Sequence, residues 1–178
     1  MCRVNAANAG FDYDDTMSTL TWSESLVLQQ PQLDHTHEEF VDLLNRFGDA
    51  LDAGSDALPA FRELLTHTEE HFAMEERWMA ATGFEPQNCH ASQHAMVLNV
   101  MREVVRHATE LNDREPMAIV RNELAQWFPA HAEMMDAALV FTMQQRGFDP
   151  ATGQCAQPIA AGEAAEAVTH SCGSGGCA

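Results

Sequence analysis

Four stretches of this chain repeat apolar residues at three- and four-residue intervals, and short polar turns separate them. The first stretch, for example, places Leu33, Phe40, Leu44 and Phe47 at this spacing. Such spacing gathers apolar side chains into one stripe, so each stretch predicts an amphipathic α-helix. Because short connections force neighbouring helices to run in opposite directions, the sequence predicts an all-α fold, an antiparallel up-down-up-down four-helix bundle over residues 31–147.

Turn and capping residues predict where the helices begin and end. The first helix is expected from about Pro31 to Asp52, and the second is expected to stop at Gly83. The fourth helix is expected to stop near Gly147. Pro129 lies inside the fourth pattern and lacks a backbone N–H, so we expect it to kink that helix.

Both ends of the chain lie outside the four patterns. Residues 1–30 show no sustained helical period, but Leu20 and Trp22 predict an N-terminal arm that packs across the core. Residues 148–178 are rich in Ala, Gly and Ser. We expect most of this C-terminal tail to be flexible.

Charge and hydropathy exclude two classes of partner. The chain carries 27 acidic and 9 basic side chains, for a formal net charge of -18. This charge would repel nucleic acid phosphates and anionic membrane surfaces. The sequence contains no run of about 20 apolar residues, which a membrane-spanning helix needs, and its start lacks the apolar stretch of a secretory signal. We therefore expect a cytoplasmic protein with no nucleic acid or membrane partner.

Histidines and carboxylates lie within the apolar patterns, at least one on each predicted helix. Residues four apart on an α-helix share a face, so His71 and Glu75 can reach one interior point. The five-residue step from His131 to Asp136 is rotated by about 140° on α-helical geometry. We expect these two to approach a centre from flanking directions. The candidate metal ligands are His37, His71, Glu75, His90, His94, His131 and Asp136.

The number and type of these side chains indicate iron rather than structural zinc. Seven ligands exceed the four that a structural zinc takes, and imidazole mixed with carboxylate suits iron. Two six-coordinate metals offer about twelve positions. If Glu75 and Asp136 each bridge, they fill four, the histidines fill five, and a bridging oxide or hydroxide fills two. One position then stays open, and a vacant position in a dry apolar pocket suits reversible binding of a small neutral gas.

Four motifs carry a resemblance to a known family. They are Leu33-Asp34-x-x-His37, His71-Phe72-x-x-Glu75-Glu76-x-x-Met79, His90-x-x-x-His94 and Trp127-Phe128-x-x-His131-x-x-x-x-Asp136, with Trp22 upstream. Over about residues 20–145, the chain resembles the bacterial hemerythrin family. The resemblance implies two non-haem irons, with dioxygen entering at the iron that has two histidines. The implied assignment is His90, His94 and His131 on one iron, His37 and His71 on the other, and Glu75 and Asp136 as bridges.

Four further residues lie one or two helical turns from the candidate ligands and are candidates for lining an oxygen pocket. Ordinary core packing explains them equally well. They are Phe40, Leu98, Met101 and Trp127.

Two kinds of function remain open at this stage. We predict a non-haem di-iron protein that binds dioxygen reversibly for storage, transport or sensing, and not an enzyme. The same ligands would also serve a di-iron oxidoreductase acting on dioxygen, peroxide or nitric oxide, or an iron-buffering or signalling module. A ferritin-like oxidase is disfavoured, because the sequence has no Glu-x-x-His repeat. The sequence does not identify a protein partner.

Overall fold

Helices make up most of the described chain. The computed structural model describes residues 18–84 and 89–156. Its helices are α1 (Pro31–Asp52), α2 (Leu58–Thr82), α3 (Cys89–Glu110), α4 (Glu115–His131) and α5 (Ala137–Arg146), with a π-helical turn, Ala132–Asp136, joining the last two. A short 3-10 helix, Glu24–Leu26, precedes α1, and two short strands, β1 (Phe148–Asp149) and β2 (Gln154–Cys155), pair antiparallel after α5. The all-α prediction is confirmed.

Side-chain contacts between neighbouring helices join the start of one to the end of the other. The hydrogen-bonded pairs are Arg46 with Glu63 at 2.7 Å, Gln93 with Trp127 at 3.2 Å, and Asp52 with Arg121 at 2.6 Å. They connect α1 to α2, α3 to α4, and α1 to α4. All three pairings are antiparallel, as the short connections predict.

The helix ends follow the local sequence. Pro31, Pro59 and Pro116 lie in the first turns of their helices, where a missing N–H costs no helical hydrogen bond. Gly83 ends α2 with φ 72°, and Gly147 ends α5 with φ 58°. Glycine adopts this left-handed conformation without a Cβ clash, so both predicted stops are observed.

The apolar core consists of two clusters with the candidate ligands between them. The larger cluster includes Phe40, Phe47 and Phe61, and the smaller includes Leu33. On α1, His37 lies between Leu33 of the smaller cluster and Phe40 of the larger. This arrangement surrounds a polar centre with apolar side chains on both sides along the bundle axis.

The described part of the predicted arm is held against α1. The backbone N–H of Leu20 donates to Asn45 Oδ1 at 2.9 Å, and Asn45 Nδ2 donates to the Leu20 carbonyl oxygen at 2.8 Å. Leu26 is buried in the larger cluster. The first 17 residues of the predicted arm lie outside the described part of the chain.

The first residues of the predicted tail pack against α2. Phe148 packs its ring 6.3 Å from that of Trp78, and Cys155 Sγ lies 3.4 Å from the carbonyl oxygen of Ala81. Gly153, with φ 69°, allows the tight turn between the two strands. Partial burial of Phe148 against α2 explains the placement of this segment. Residues 157–178 lie outside the described residues, so the rest of the tail and the proposed domain boundaries stay predictions.

Within the described residues, no helix combines the length and the apolar character that crossing a membrane requires.

Candidate metal centre

Seven buried polar side chains meet in the middle of the bundle. They are His37, His71, Glu75, His90, His94, His131 and Asp136, each at most 3% exposed. Their nitrogen and oxygen atoms form two groups, and within each group one atom of every member lies within 4.8 Å of the others. The three-histidine group contains His90, His94 and His131 with Glu75 and Asp136, and the two-histidine group contains His37, His71 and Glu75. The structure therefore brings together every candidate ligand, and their roles as ligands stay a prediction.

Helical spacing explains how the first three helices direct these side chains inward. His71 and Glu75 lie one turn apart on α2, and His71 Nε2 is 3.0 Å from Glu75 Oε1. His90 and His94 have the same spacing on α3, with ring centroids 4.4 Å apart. His37 comes from α1, and its ring centroid is 5.1 Å from that of His71.

The fourth ligand-bearing segment depends on the π-helical turn. In Ala132–Asp136, the amide of Ala137 donates to the carbonyl oxygen five residues before it. A turn closed in this way brings residues five apart nearly above one another. His131 Nε2 consequently lies 3.2 Å from Asp136 Oδ1, and the two side chains point the same way rather than from flanking directions. The α-helix continues past Pro129, and the departure from α geometry that we expected there lies in the next turn.

Glu75 faces both groups, one oxygen to each. Its Oε1 lies 3.0 Å from His71 Nε2. Its Oε2 lies 3.1 Å from His90 Nε2 and 3.1 Å from His94 Nε2. The carboxylate therefore spans the gap between the two-histidine and three-histidine groups.

Asp136 repeats this division from the opposite wall. Its Oδ2 lies 3.2 Å from His37 Nε2. Its Oδ1 lies 3.0 Å from His90 Nε2 and 3.2 Å from His131 Nε2. Two carboxylates that each point one oxygen to either side have the arrangement that bridging of two cations requires.

The histidines and carboxylates of the site shift one another's pKa values. Burial alone would raise the pKa of Glu75, but the charge and hydrogen bond of His71 lower it well below its usual range. Burial and the charge of Glu75 would raise the pKa of Asp136, but contacts from histidines including His131 lower it. Burial would lower the pKa of His90, but Asp136 and Glu75 raise it to about 9. Against the same opposing effect of burial, Glu75 raises the pKa of His71.

Three of the unsatisfied buried atoms face the centre of the site, where a cation would satisfy them. His37 Nε2 and both carboxylate oxygens of Asp136 are buried and make no well-aligned hydrogen bond with described residues, although histidine nitrogens lie within 3.2 Å. A buried carboxylate without donors costs several kcal/mol in general. Imidazole nitrogen and carboxylate oxygen are both suitable ligands for iron. The cluster therefore fits a metal site.

The predicted pocket residues divide between the two sides of the site. The rings of Phe40 and Phe128 stack with centroids 4.6 Å apart, and the rings of Phe128 and His37 are nearly perpendicular with centroids 5.1 Å apart. Trp127 stacks on the ring of His131 at 4.3 Å, on the three-histidine side.

The other two predicted pocket residues contact the larger core cluster. Met101 is fully buried, and Leu98 is half-buried against the same cluster. Met101 and Trp127 also contribute to the wall of an apolar surface groove of about 220 Å³ between α3 and α4.

Two neighbours of the ligands were not identified as such from the sequence. Phe72 stacks face to face on His94, with ring centroids 3.8 Å apart and an angle of 5° between the planes. Gln93 contacts both Trp127 and His131 through its side-chain oxygen. The position of Gln93 next to His94 was a usable signal, but its partners belong to another helix.

The fold and the site define a class: four-helix bundle proteins with a buried histidine and carboxylate site that fits metal. Residues 30–140 match the Hemerythrin HHE cation binding domain. The chain is 39% identical over 136 residues to a bacteriohemerythrin of Ralstonia nicotianae, covering 75% of this chain and 95% of that relative. It is 26% identical over 127 residues to a bacteriohemerythrin of Pseudomonas aeruginosa, covering 70% of this chain and 81% of the relative. The chain belongs to the hemerythrin family, which confirms the resemblance.

Proposed function

We propose that this chain is a di-iron protein that binds dioxygen reversibly, for storage, transport or sensing. Its membership of the hemerythrin family and the name of its relatives, bacteriohemerythrin, support this proposal. So does the buried set of imidazole and carboxylate groups, whose chemistry suits iron. A cytoplasmic location remains part of the proposal.

The observation that carries the proposal is the division of the carboxylate oxygens. Glu75 and Asp136 each direct one oxygen toward the three-histidine group and the other toward the two-histidine group. In the proposed site both would bridge the irons. His90, His94 and His131 would complete the ligands of one iron, and His37 and His71 would belong to the other.

The unequal number of histidines provides the place for a small ligand. With one fewer imidazole, the two-histidine group would hold its iron with fewer protein ligands and would leave it room for a small ligand. When bound, the iron pair would supply the electrons and the open position that reversible dioxygen binding needs. The carboxylates of Glu75 and Asp136 would also offset part of the positive charge of two iron cations.

The chain's own residues would keep water and protons away from this position. The ring of Phe128 lies against His37 on the two-histidine side, and Phe40 lies behind it. Both phenylalanines are at most 1% exposed. A dry apolar wall disfavours charged species and so slows the irreversible oxidation that water and acid promote.

The test is to load the chain with Fe²⁺ without air, count iron per chain, and record absorption while alternating air and argon. We expect two irons and a visible band that appears in air and fades in argon over repeated cycles. A single irreversible change with release of peroxide would instead support the oxidoreductase alternative.

Two histidines on α1 provide a matched pair of variants. His37→Ala removes a fully buried candidate ligand, so the band should be lost. His35→Ala removes a side chain that is 71% exposed, so the band should be unchanged. A normal band in His37→Ala would contradict the proposed ligand set.

A further inference from the structure

One of the five site histidines differs from the others in the partner of its outer ring nitrogen. The Nδ1 atoms of His37, His71, His90 and His94 are buried and have no hydrogen-bond partner among the described residues. The Nδ1 atom of His131 lies 3.0 Å from Gln93 Oε1. Gln93 lies on α3 and His131 at the end of α4, so this contact also joins two helices.

The second partner of Gln93 identifies which atom of its amide faces His131. Trp127 Nε1 lies 3.2 Å from the same Gln93 oxygen. An indole N–H only donates, so the atom that it contacts must be the acceptor oxygen and not the amide nitrogen. Because that oxygen cannot donate, the Nδ1 atom of His131 must carry the hydrogen in their shared contact.

This tautomer leaves the inner nitrogen free to bind a cation. In a neutral imidazole one nitrogen carries hydrogen and the other a lone pair. With hydrogen on Nδ1, the lone pair of His131 is on Nε2, which lies 3.2 Å from Asp136 Oδ1 and 3.1 Å from His94 Nε2. The stacked indole of Trp127, at 29° to the imidazole plane, restricts rotation of the ring.

We propose that Gln93 is a positioning residue, whose side-chain oxygen holds His131 in the Nδ1–H tautomer and directs its Nε2 lone pair into the three-histidine group. Trp127 has a supporting role, because its N–H keeps the oxygen of Gln93 turned toward the histidine. The inference rests on the metal site of the proposed function but does not require reversible oxygen binding. Hydrogen bonds of this kind to ligating histidines typically change metal affinity by about 10- to 100-fold.

The variants separate this role from a merely structural link between α3 and α4. Gln93→Leu replaces the acceptor by an apolar side chain that is one atom shorter, and Gln93→Glu keeps an acceptor at the same place. Gln126→Leu is the matched control, since Gln126 is exposed on α4 beside Trp127.

The experiment titrates each full-length protein with Co²⁺ against a competing chelator, without air. Gln93→Leu should weaken one of two bound Co²⁺ ions by about 10- to 100-fold and leave the other nearly unchanged. Gln93→Glu should restore the affinity of that ion to within a few-fold of the wild type, or exceed it. Equal affinities in Gln93→Leu and Gln126→Leu would overturn the proposal, as would an equal loss of both ions.

A measurement on the unaltered protein decides the case even if Gln93→Leu does not fold. Nitrogen-15 NMR of histidine-labelled, metal-free protein should show hydrogen on Nδ1 of His131 at about pH 8. A neutral Nε2–H tautomer there would overturn the proposal. If the wild type binds two Co²⁺ ions but its iron form does not bind oxygen reversibly, the proposed function fails while the role of Gln93 stands.

Discussion

His131 and Asp136 are five residues apart in sequence, yet their Nε2 and Oδ1 atoms lie 3.2 Å apart. The π-helical turn between α4 and α5 produces this approach, because it closes a hydrogen bond over five residues instead of four. It gives the pair the relationship that His71 and Glu75 have by ordinary α-helical spacing. Turns of this kind often occur at functional sites.

Removing one residue from the π turn should preserve the site, whereas adding one should disrupt it. Deletion of Met134, which is 65% exposed, would place His131 and Asp136 four apart on an ordinary α-helix. Insertion of one alanine after Met134 would rotate Asp136 by about 100° away from the centre. We expect iron content to stay near that of the wild type in the deletion and to fall clearly in the insertion.

Metal analysis after anaerobic loading measures the difference, and circular dichroism checks that both variants remain helical. An insertion variant with full iron content would show that the π turn is not needed to direct the side chain of Asp136 into the site.

Adjacent glutamates on α2 allow a direct test of the proposed bridge. Glu75 is fully buried between the two histidine groups, whereas Glu76 points outward and is exposed. Glu75→Gln removes the negative charge at nearly constant size and should weaken metal binding by more than about 100-fold, beyond the effect of losing a supporting hydrogen bond. Glu76→Gln should bind as the wild type does. Chelator competition measures both, and similar affinities in the two variants would argue against a bridging Glu75.

Metal binding should release protons at neutral pH. Burial lowers and the carboxylates of Asp136 and Glu75 raise the pKa of His90, with a net value of about 9, so this histidine is protonated at about pH 7 before metal binds. A ligating imidazole must be neutral, so loading must displace that proton. We expect metal binding to release at least one proton per chain at about pH 7. The number of protons released should fall as the pH rises through 9.

Calorimetry in buffers of different ionisation enthalpy gives the proton count, and no dependence on buffer would contradict the prediction. The contacts with Asp136 and Glu75 that raise the pKa of His90 also stabilise the metal-free fold. That stabilisation is complete below the ordinary histidine pKa of 6.5 and is lost as the pH rises to about 9. His35→Ala, which alters an exposed histidine, should leave the number of protons released on metal binding unchanged.

The part of the core around Phe61, away from the candidate ligands, should contribute to stability without contributing to metal binding. Phe61 is fully buried and lies 4.8 Å from Phe47 between ring centroids, away from the candidate ligands. Phe61→Ala should lower the free energy of unfolding by about 3–5 kcal/mol. Phe141→Ala, at a side chain that is 62% exposed, should change it by no more than about 0.5 kcal/mol.

Urea unfolding of the metal-free protein measures both free energies. Metal content under folding conditions should be equal in the two variants. Loss of metal from a folded Phe61→Ala protein would mean that the two parts of the core are coupled.

The helices and their inward faces were predictable because helical spacing is a local property. The periodic placement of Leu33, Phe40 and Phe47 is enough to identify the buried side of α1, and the same spacing puts His37 on that side. Gly83 and Gly147 are recognisable stops because their conformation depends on a few neighbouring residues.

Other features depended on contacts between segments that are distant in sequence. No local pattern reveals that Gln93 meets His131, since that contact requires a particular rotation and depth of α3 against α4. The placement of the first tail residues depends similarly on the contact between Phe148 and Trp78, which lies on α2.

By itself, the sequence determined an all-α bundle and the set of polar side chains that face its interior, because residue spacing decides which face of a helix each side chain occupies. Only the tertiary structure decided how those side chains are shared. The π turn aligns Asp136 with His131, and the packing of four helices directs one oxygen of each carboxylate to either side. Such relationships are set by distances between helices, which spacing along one helix does not contain.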